Sequence, residues 1–450
     1  MQSRDVIAAI ATAPAQGAIG IVRISGDKAL DVLCRVFRSS NLLNFESHRM
    51  YYGSIIKGDE VIDEVMVCYM KSPRSFTRED SVEIYAHGGI FILSEVLGAV
   101  ISAGARLAEP GEFTKRAFLN GRINLSEAEA VMDLISAKTS AARRTALKQL
   151  GGGLSRRIES VRDKILSWLA HIELSIDYPE HEDEARNAVE ILSDGDAVIQ
   201  DLRRLSETAD IGRIIREGVR TAIIGRPNVG KSTLLNAILH ENRAIVHETA
   251  GTTRDVLTEE VRVADIPLII MDTAGLRETD DPIEKIGIEK THDAAQDAEL
   301  ILYIADATQG LTSEDMAIIK KFSQNKIILM NKSDLKHGAE KINWCRNINI
   351  SAKTGAGLDE LFSYIKELFL KGNLNSADES EIITRERHKI LLEEAIVFVE
   401  KAFRELRDGI PEDLVSVSLR AAYISLGEIL GVEIGDDIVD RIFSEFCVGK

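Results

Sequence analysis

A short apolar run, Thr221-Ala222-Ile223-Ile224, passes directly into Gly225-Arg226-Pro227-Asn228-Val229-Gly230-Lys231-Ser232, and a helical pattern follows over Thr233–Leu239. The spacing GxxxxGK[ST] puts glycines where the backbone must fold back, so that successive N–H groups converge at the start of the next helix. A strand feeding such a turn belongs to a βα unit, and strands and helices go on alternating from about 217 to 372. That alternation predicts a largely parallel sheet with helices packed on it. The turn itself is a phosphate cradle. Backbone N–H groups across Asn228, Val229, Gly230, Lys231, Ser232 and Thr233 face the anion, Lys231 reaches the β- and γ-phosphates, and the Ser232 hydroxyl ligates Mg²⁺.

Two other regimes flank this segment. Residues 1 to about 118 alternate β-branched runs (Ala18–Ile24, Val61–Met70, Ser81–Tyr85) with one or two helical stretches, an α+β pattern. From about 120 to 212 the apolar residues fall at helical spacing, as in Leu125, Ala128, Val131, Met132 and Ile135, and again in Ile158, Val161, Ile165, Leu169 and Ile172. Residues 177–187 read as a turn between helices and 372–381 as a linker, after which helical spacing runs to residue 450. The expected organisation is 1–118, a helical part 119–212, an α/β domain 213–372 inserted into it, and a second helical part 373–450. With 45% hydrophobic and 28% charged residues the 450-residue chain has ample material for cores, which excludes bulk disorder. A net charge of −17 argues against coating nucleic acid or anionic membrane by overall charge. Cys34, Cys68, Cys345 and Cys447 are far apart with no CxxC pair, which points to a reducing cytoplasm rather than a disulfide framework. The apolar Val6–Ala13 run lacks the positive flank of a secretion signal, since Asp5 cancels Arg4. Phe91 to Ala108 is interrupted by Glu95 and Arg106, so no membrane span is expected.

Further motifs specify the nucleotide. The apolar Leu268–Met271 delivers Asp272-Thr273-Ala274-Gly275, where Asp272 serves the outer shell of the metal and the Gly275 N–H meets the γ-phosphate. Ile327–Met330 leads to Asn331-Lys332-Ser333-Asp334, whose terminal carboxylate accepts from guanine N1–H and the 2-amino group, donors that adenine does not present together. A last strand, Asn347–Ile350, ends in Ser351-Ala352-Lys353, placed to close over the base. Between the first two motifs, Gly251-Thr252-Thr253-Arg254-Asp255 offers Thr253 as second Mg²⁺ ligand from a switch loop, with His247, Glu248, Thr249, Ala250, Gly251 and Thr252 around the nucleotide. In this order the motifs resemble translation-factor-related GTPases, and GTP is the expected ligand. Ras-like enzymes carry a water-orienting Gln directly after the glycine of the second motif; here Leu276 stands there and cannot polarise water. Glu284 is the candidate replacement, in a charge-rich run that also reads as a solvated helix face. No cis arginine finger is evident, and a K⁺ ion near Asn228, His247, Thr249 and Thr252 would neutralise charge instead.

The whole chain resembles the MnmE (TrmE) family of tRNA modification GTPases. The resemblance rests on GRPNVGKS and AGTTRD within helices, on Ile10–Pro14 and Gly20–Gly26, and on Ser75-Phe76-Thr77, His87-Gly88-Gly89 and Pro110–Phe113. It extends to Arg116–Asn120 and to the ending Phe446-Cys447-Val448-Gly449-Lys450, where Val448 departs from the usual Ile or Leu. The resemblance implies a homodimer that acts with the FAD-containing MnmG protein in a heterotetramer. It also implies K⁺-stimulated GTP hydrolysis and addition of an aminomethyl or carboxymethylaminomethyl group at C5 of the wobble uridine of tRNA. The one-carbon unit would come from 5,10-methylenetetrahydrofolate, of which 5-formyltetrahydrofolate is an analogue, held on a folate-binding-like N-terminal domain by Arg23, Glu83 and Arg122 with Lys450 nearby. It strengthens Glu284 as the water-positioning residue.

Cys447 is either a catalytic thiol or a packing residue beside Phe446 and Val448. The basic stretch Arg143–Arg157 is either a tRNA contact or an ordinary solvated face. A ribosome-assembly GTP switch that binds rRNA is the alternative function, although such factors carry a second GTPase domain or an RNA-binding module that is not visible here.

Overall fold

The computed structural model describes residues 5–13, 15–39, 44–177, 188–241, 259–271, 296–335, 345–370 and 381–449. They form two compact units, one from residues 1–132 with 423–450, the other from 133–422.

In the first unit, seven strands form one sheet: β1 (Ile7–Ile10), β2 (Ile19–Ser25), β3 (Phe37–Arg38), β4 (Arg49–Lys57), β5 (Glu60–Met70), β6 (Ser81–His87) and β7 (Arg106–Leu107), in the order β3-β4-β5-β6-β2-β1-β7. The strand expected at Val61–Met70 is present and alternates in burial: Val65, Val67 and Tyr69 are buried, whereas Met66, Cys68 and Met70 are half-exposed. The buried set packs with Val22, Ile24, Val82 and Ile84 against helices Ala29–Val36 and Ile90–Ser102. The opposite face carries a cross-strand row in which Arg23 is registered with Glu83 and Glu83 with Cys68. Strand β4 went unread in the sequence because Gly53 interrupts its alternation. A Cβ there would stand 2.3 Å from the Arg38 carbonyl, so this glycine is required by the neighbouring strand. A third helix, Glu112–Leu119, adds to the one or two expected. Helix Asp436–Ser444 and the chain end pack into a small cluster of Leu125, Ala128, Val439, Phe443 and Phe446.

The second unit contains a six-stranded sheet of β8 (Val219–Gly225), β9 (Glu259–Val263), β10 (Ile266–Met271), β11 (Leu300–Asp306), β12 (Asn325–Asn331) and β13 (Arg346–Asn349). The order is β13-β12-β11-β8-β10-β9, parallel throughout except for the β9–β10 hairpin. Both faces are covered, as parallel strands require. Val219, Ile223, Leu302 and Leu329 go to one core, and Ala222, Ile224, Tyr303 and Ile328 to the other. The strands expected at 221–224, 268–271, 327–330 and 347–350 are therefore present, each shifted or extended by a residue or a few. The same unit holds long helices Gly153–Asp177, Ala188–Glu207 and Glu386–Arg407, in which Trp168 meets Phe403 edge-on at 5.3 Å between ring centroids. The architecture is thus an α+β unit, a helical region and a doubly covered α/β sheet. Among the described residues no helix is long and apolar enough to cross a membrane.

Candidate functional site

The carboxyl ends of β8, β11, β12 and β13 bring the phosphate loop together with the Asn331–Asp334 and Ser351–Lys353 turns, the place where open α/β sheets put their ligands. Strand β8 ends at Gly225 and helix Lys231–Glu241 begins six residues later. Asn228 and Gly230 both adopt positive φ, 61° and 101°. A Cβ at Gly230 would lie 2.3 Å from Asn331 Nδ2, so the loop closes this tightly only with glycine. The Lys231 ammonium donates to the carbonyls of Gly225 (3.0 Å) and Arg226 (2.9 Å), which seats it across the mouth of its own loop. Burial lowers its pKa.

Asn331 turns two motifs into one structure. Its Nδ2 donates to the Val229 carbonyl at 2.8 Å, and its Oδ1 accepts from the Ala352 N–H at 2.9 Å. Ser333 N–H also donates to the Ile350 carbonyl, which holds Ser351-Ala352-Lys353 beside the Asn331–Asp334 turn. Buried Ser351 starts that turn, with its N–H donating to the Ala356 carbonyl, while Lys353 and Asp334 are exposed. Lys332 donates to the Asn228 carbonyl at 3.1 Å and to the Asp306 carboxylate at 2.7 Å. Asp306, at the end of β11, is a site residue that the motifs did not reveal. Burial alone would raise its pKa, but Lys332 and Thr308 hold it below the usual carboxylate range. Its signal in the sequence is a lone carboxylate closing the wholly apolar Leu300–Ala305 run. Ser232 and Thr233 open the helix after the loop. His247, Glu248, Thr249, Ala250, Gly251, Thr252, Thr253, Asp272, Thr273, Ala274, Gly275, Leu276, Glu284 and Lys450 lie outside the described residues.

The first unit presents the second candidate group. Arg23 Nε and Nη2 both reach Glu83 Oε1, at 3.0 and 2.9 Å, and the Tyr85 hydroxyl donates to Glu83 Oε2 at 2.6 Å. Burial and this carboxylate raise the Tyr85 pKa. Arg23 lies 6.0 Å from the centroid of the Phe76 ring and 5.7 Å from that of Phe113. Arg122 lies 5.0 Å from the Phe76 ring and donates to the Ser75 carbonyl; burial, then Arg78, lowers its pKa. Arg23, which holds Glu83, and Arg122 thus converge on the Phe76 ring. Cys447 is exposed, and its carbonyl accepts from the Gly111 N–H, two residues before Phe113. Three cations of the basic stretch are occupied within the chain: Arg144 faces Asp265 at 3.7 Å, Arg157 pairs with Asp201, and Arg156 caps the Gly151 carbonyl.

Comparison with known proteins covers the whole chain. Residues 6–122 match the family model described as the N-terminus of GTP-binding protein TrmE, and residues 125–447 match the MnmE helical domain. The tRNA modification GTPase MnmE of Finegoldia magna is 46% identical over 451 residues, covering 99% of this chain and all of the relative. That of Clostridioides difficile is 45% identical over 456 residues, 99% of each. Among solved structures, a variant of Aquifex aeolicus Era bound to GDP and aluminium fluoride is 29% identical, covers 40% of this chain and 67% of its own, and has a TM-score of 0.27. With relatives this similar from end to end, and two adjoining family models that account for nearly every residue, the chain belongs to the MnmE family of tRNA modification GTPases.

Proposed function

We propose that this chain is a GTPase of tRNA modification that binds GTP and Mg²⁺ on the Gly225–Ser232 loop and couples its hydrolysis to a change at C5 of the wobble uridine. The observation that carries the nucleotide reading is the Asn331 side chain, bonded at once to the phosphate loop and to the Ser351–Lys353 turn. One side chain thereby sets the distance between the phosphate cradle and the base-reading residues. Ser232 and Thr233 follow Lys231 at the helix start, where the helix dipole and the first-turn N–H groups favour an anion and the serine hydroxyl suits Mg²⁺. Asp334 reads the guanine edge. Glu284 positions the attacking water, Thr253 completes the Mg²⁺ shell, and K⁺ is held at Asn228 with His247, Thr249 and Thr252.

The Arg23, Glu83 and Arg122 group fits a reduced folate. A carboxylate suits the donor edge of a pterin, an aromatic ring offers a stacking surface, and guanidinium groups suit the anionic tail. The folate would supply the one-carbon unit; Glu83 and the arginines would orient it, and Lys450 would stand nearby. A homodimer working with the FAD-containing MnmG protein in the cytoplasm completes the reading, and the proposed domain limits remain 1–118, 119–212, 213–372 and 373–450. The test is mass spectrometry of wobble uridines in tRNA from a deletion strain carrying the wild-type chain or a Lys231→Ala form. Modification should return only with the wild type. Full modification in the deletion strain itself would overturn the proposal.

A further inference from the structure

The phosphate loop is tied down by a buried carboxylate that none of the nucleotide motifs contains. Asp315 lies at the third position of helix Ser313–Lys321 and is 1% exposed. Its Oδ2 accepts from the N–H and hydroxyl of Thr312, closing a reciprocal cap with the helix start. Its Oδ1 accepts from the buried Tyr303 hydroxyl at 2.6 Å and faces Arg226 Nε at 3.1 Å. That Nε makes no aligned hydrogen bond, so the contact is one of charge, while Nη2 leans on the Gly310 carbonyl at 3.4 Å. Arg226 is the residue directly after Gly225, and its own carbonyl is one of the two that seat Lys231. Two residues on, Asn228 holds a positive φ and its carbonyl accepts from Lys332.

We propose that Arg226 is a positioning residue for the phosphate loop, acting through Asp315. A helix cap could be completed by a carboxylate with no arginine near it, and a surface loop could begin without a buried counter-charge. Here one carboxylate serves both. The ion pair fixes the first half of the loop to β11 and to the helix after it, so that the Lys231 seat and the turn at Asn228 are set before nucleotide arrives. Such preorganisation is read in how long nucleotide stays bound.

The role rests on the nucleotide reading, so the wild-type protein comes first. A fluorescent GDP analogue that fails to bind it overturns the reading, and this role with it. With binding in hand, Arg226→Gln should release the analogue about tenfold faster, the size of one lost charged contact. The change should fall on KM for GTP more than on kcat, and Arg226→Lys should recover most of it. In an Asp315→Asn background, Arg226→Gln should add little. If Arg226→Gln does not fold, Asp315→Asn alone should speed release to the same extent. A lowered melting temperature with wild-type release would overturn the proposal, because Arg226 would then only neutralise Asp315. Equal effects of Arg226→Gln with and without Asp315 would also overturn it.

Discussion

At the scale of single residues, Asp334 and Glu284 make separable predictions. Asp334 is exposed just beyond Lys332, whose bonds to Asn228 and Asp306 hold the turn in place. Asp334→Asn exchanges an acceptor pair for an amide, so affinity for GTP should fall roughly a hundredfold, the loss of two charge-assisted bonds. Affinity for xanthosine triphosphate, which carries a carbonyl where guanine has its amino group, should rise. Titration of both nucleotides checks this, and unchanged GTP affinity would remove Asp334 as the base reader. Hydrolysis belongs to another residue. Because Leu276 cannot orient water, Glu284→Ala should slow turnover by ~10²-fold, the usual contribution of such a group, with nucleotide binding nearly retained. Turnover should also be faster in K⁺ than in Na⁺ at equal ionic strength. Equal rates in the two salts would end the cation reading, and a fully active Glu284→Ala protein would end that of the glutamate.

At the scale of elements, charge networks join segments that share no sequence signal. Glu112 and Arg116, both buried on helix Glu112–Leu119, pair with each other and with Asp5, Glu79 and Arg106. Burial by itself would raise the Glu112 pKa; bonds from Arg106, the Glu109 N–H and Arg116 outweigh it and hold the carboxyl below its usual value. The folded-state pKa is therefore below that of the unfolded chain, which is about 4.3. The network's contribution is complete above that pH and is lost as pH falls through the folded value. Glu112→Gln should destabilise its unit by about 1.5–3 kcal/mol at neutral pH, since buried Arg116 loses one of its three carboxylate partners and keeps Asp5 and Glu79. The melting-temperature gap between wild type and variant should narrow below about pH 4, where the wild-type carboxylate is itself being protonated. A gap that stays constant with pH would show that shape, not charge, is at work. A second network in the other unit centres on Asp133, which binds Arg216, Arg385 and Thr384. Those partners lie just before β8 and soon after the linker that follows the α/β segment, so one carboxylate clasps the entry and exit of the inserted sheet. The clasp is tight: a Cβ at Gly212 would come within 1.8 Å of the Ile383 carbonyl.

At the scale of the whole molecule, the end of the chain belongs with its beginning. Residues 423–450 cluster with 1–132. Gly111 admits the tail closely, since a Cβ there would lie 2.5 Å from the Phe443 carbonyl, and one at Gly449 would lie 2.3 Å from that of Ile10. Cys447 sits between these two contacts. Cys447→Ser should therefore leave GTP turnover and its K⁺ response within a few-fold of wild type. Wobble-uridine modification should fall sharply if sulfur performs chemistry, because a serine hydroxyl is a far poorer nucleophile at neutral pH. Normal modification would assign Cys447 to packing, and a parallel loss of GTP turnover would mean that the tail serves the nucleotide site. What could be read directly from the residues is what local rules encode. β-Branched runs located β2, β5 and β6, helical spacing located the helical region, and the glycines of Gly225–Ser232 announced a loop that only a strand and a helix can flank. The order of the nucleotide motifs followed, because each closes a strand whose neighbours alternate with helices. The partners of the charges did not follow. Arg23 meets Glu83 only through the register of β2 on β6, Asp133 meets Arg385 from 252 positions away, and Arg226 finds Asp315 only once β11 lies beside β8. Such pairings depend on strand order and crossover, which bring distant segments together with no periodicity to record it, and so they are decided when the cores close.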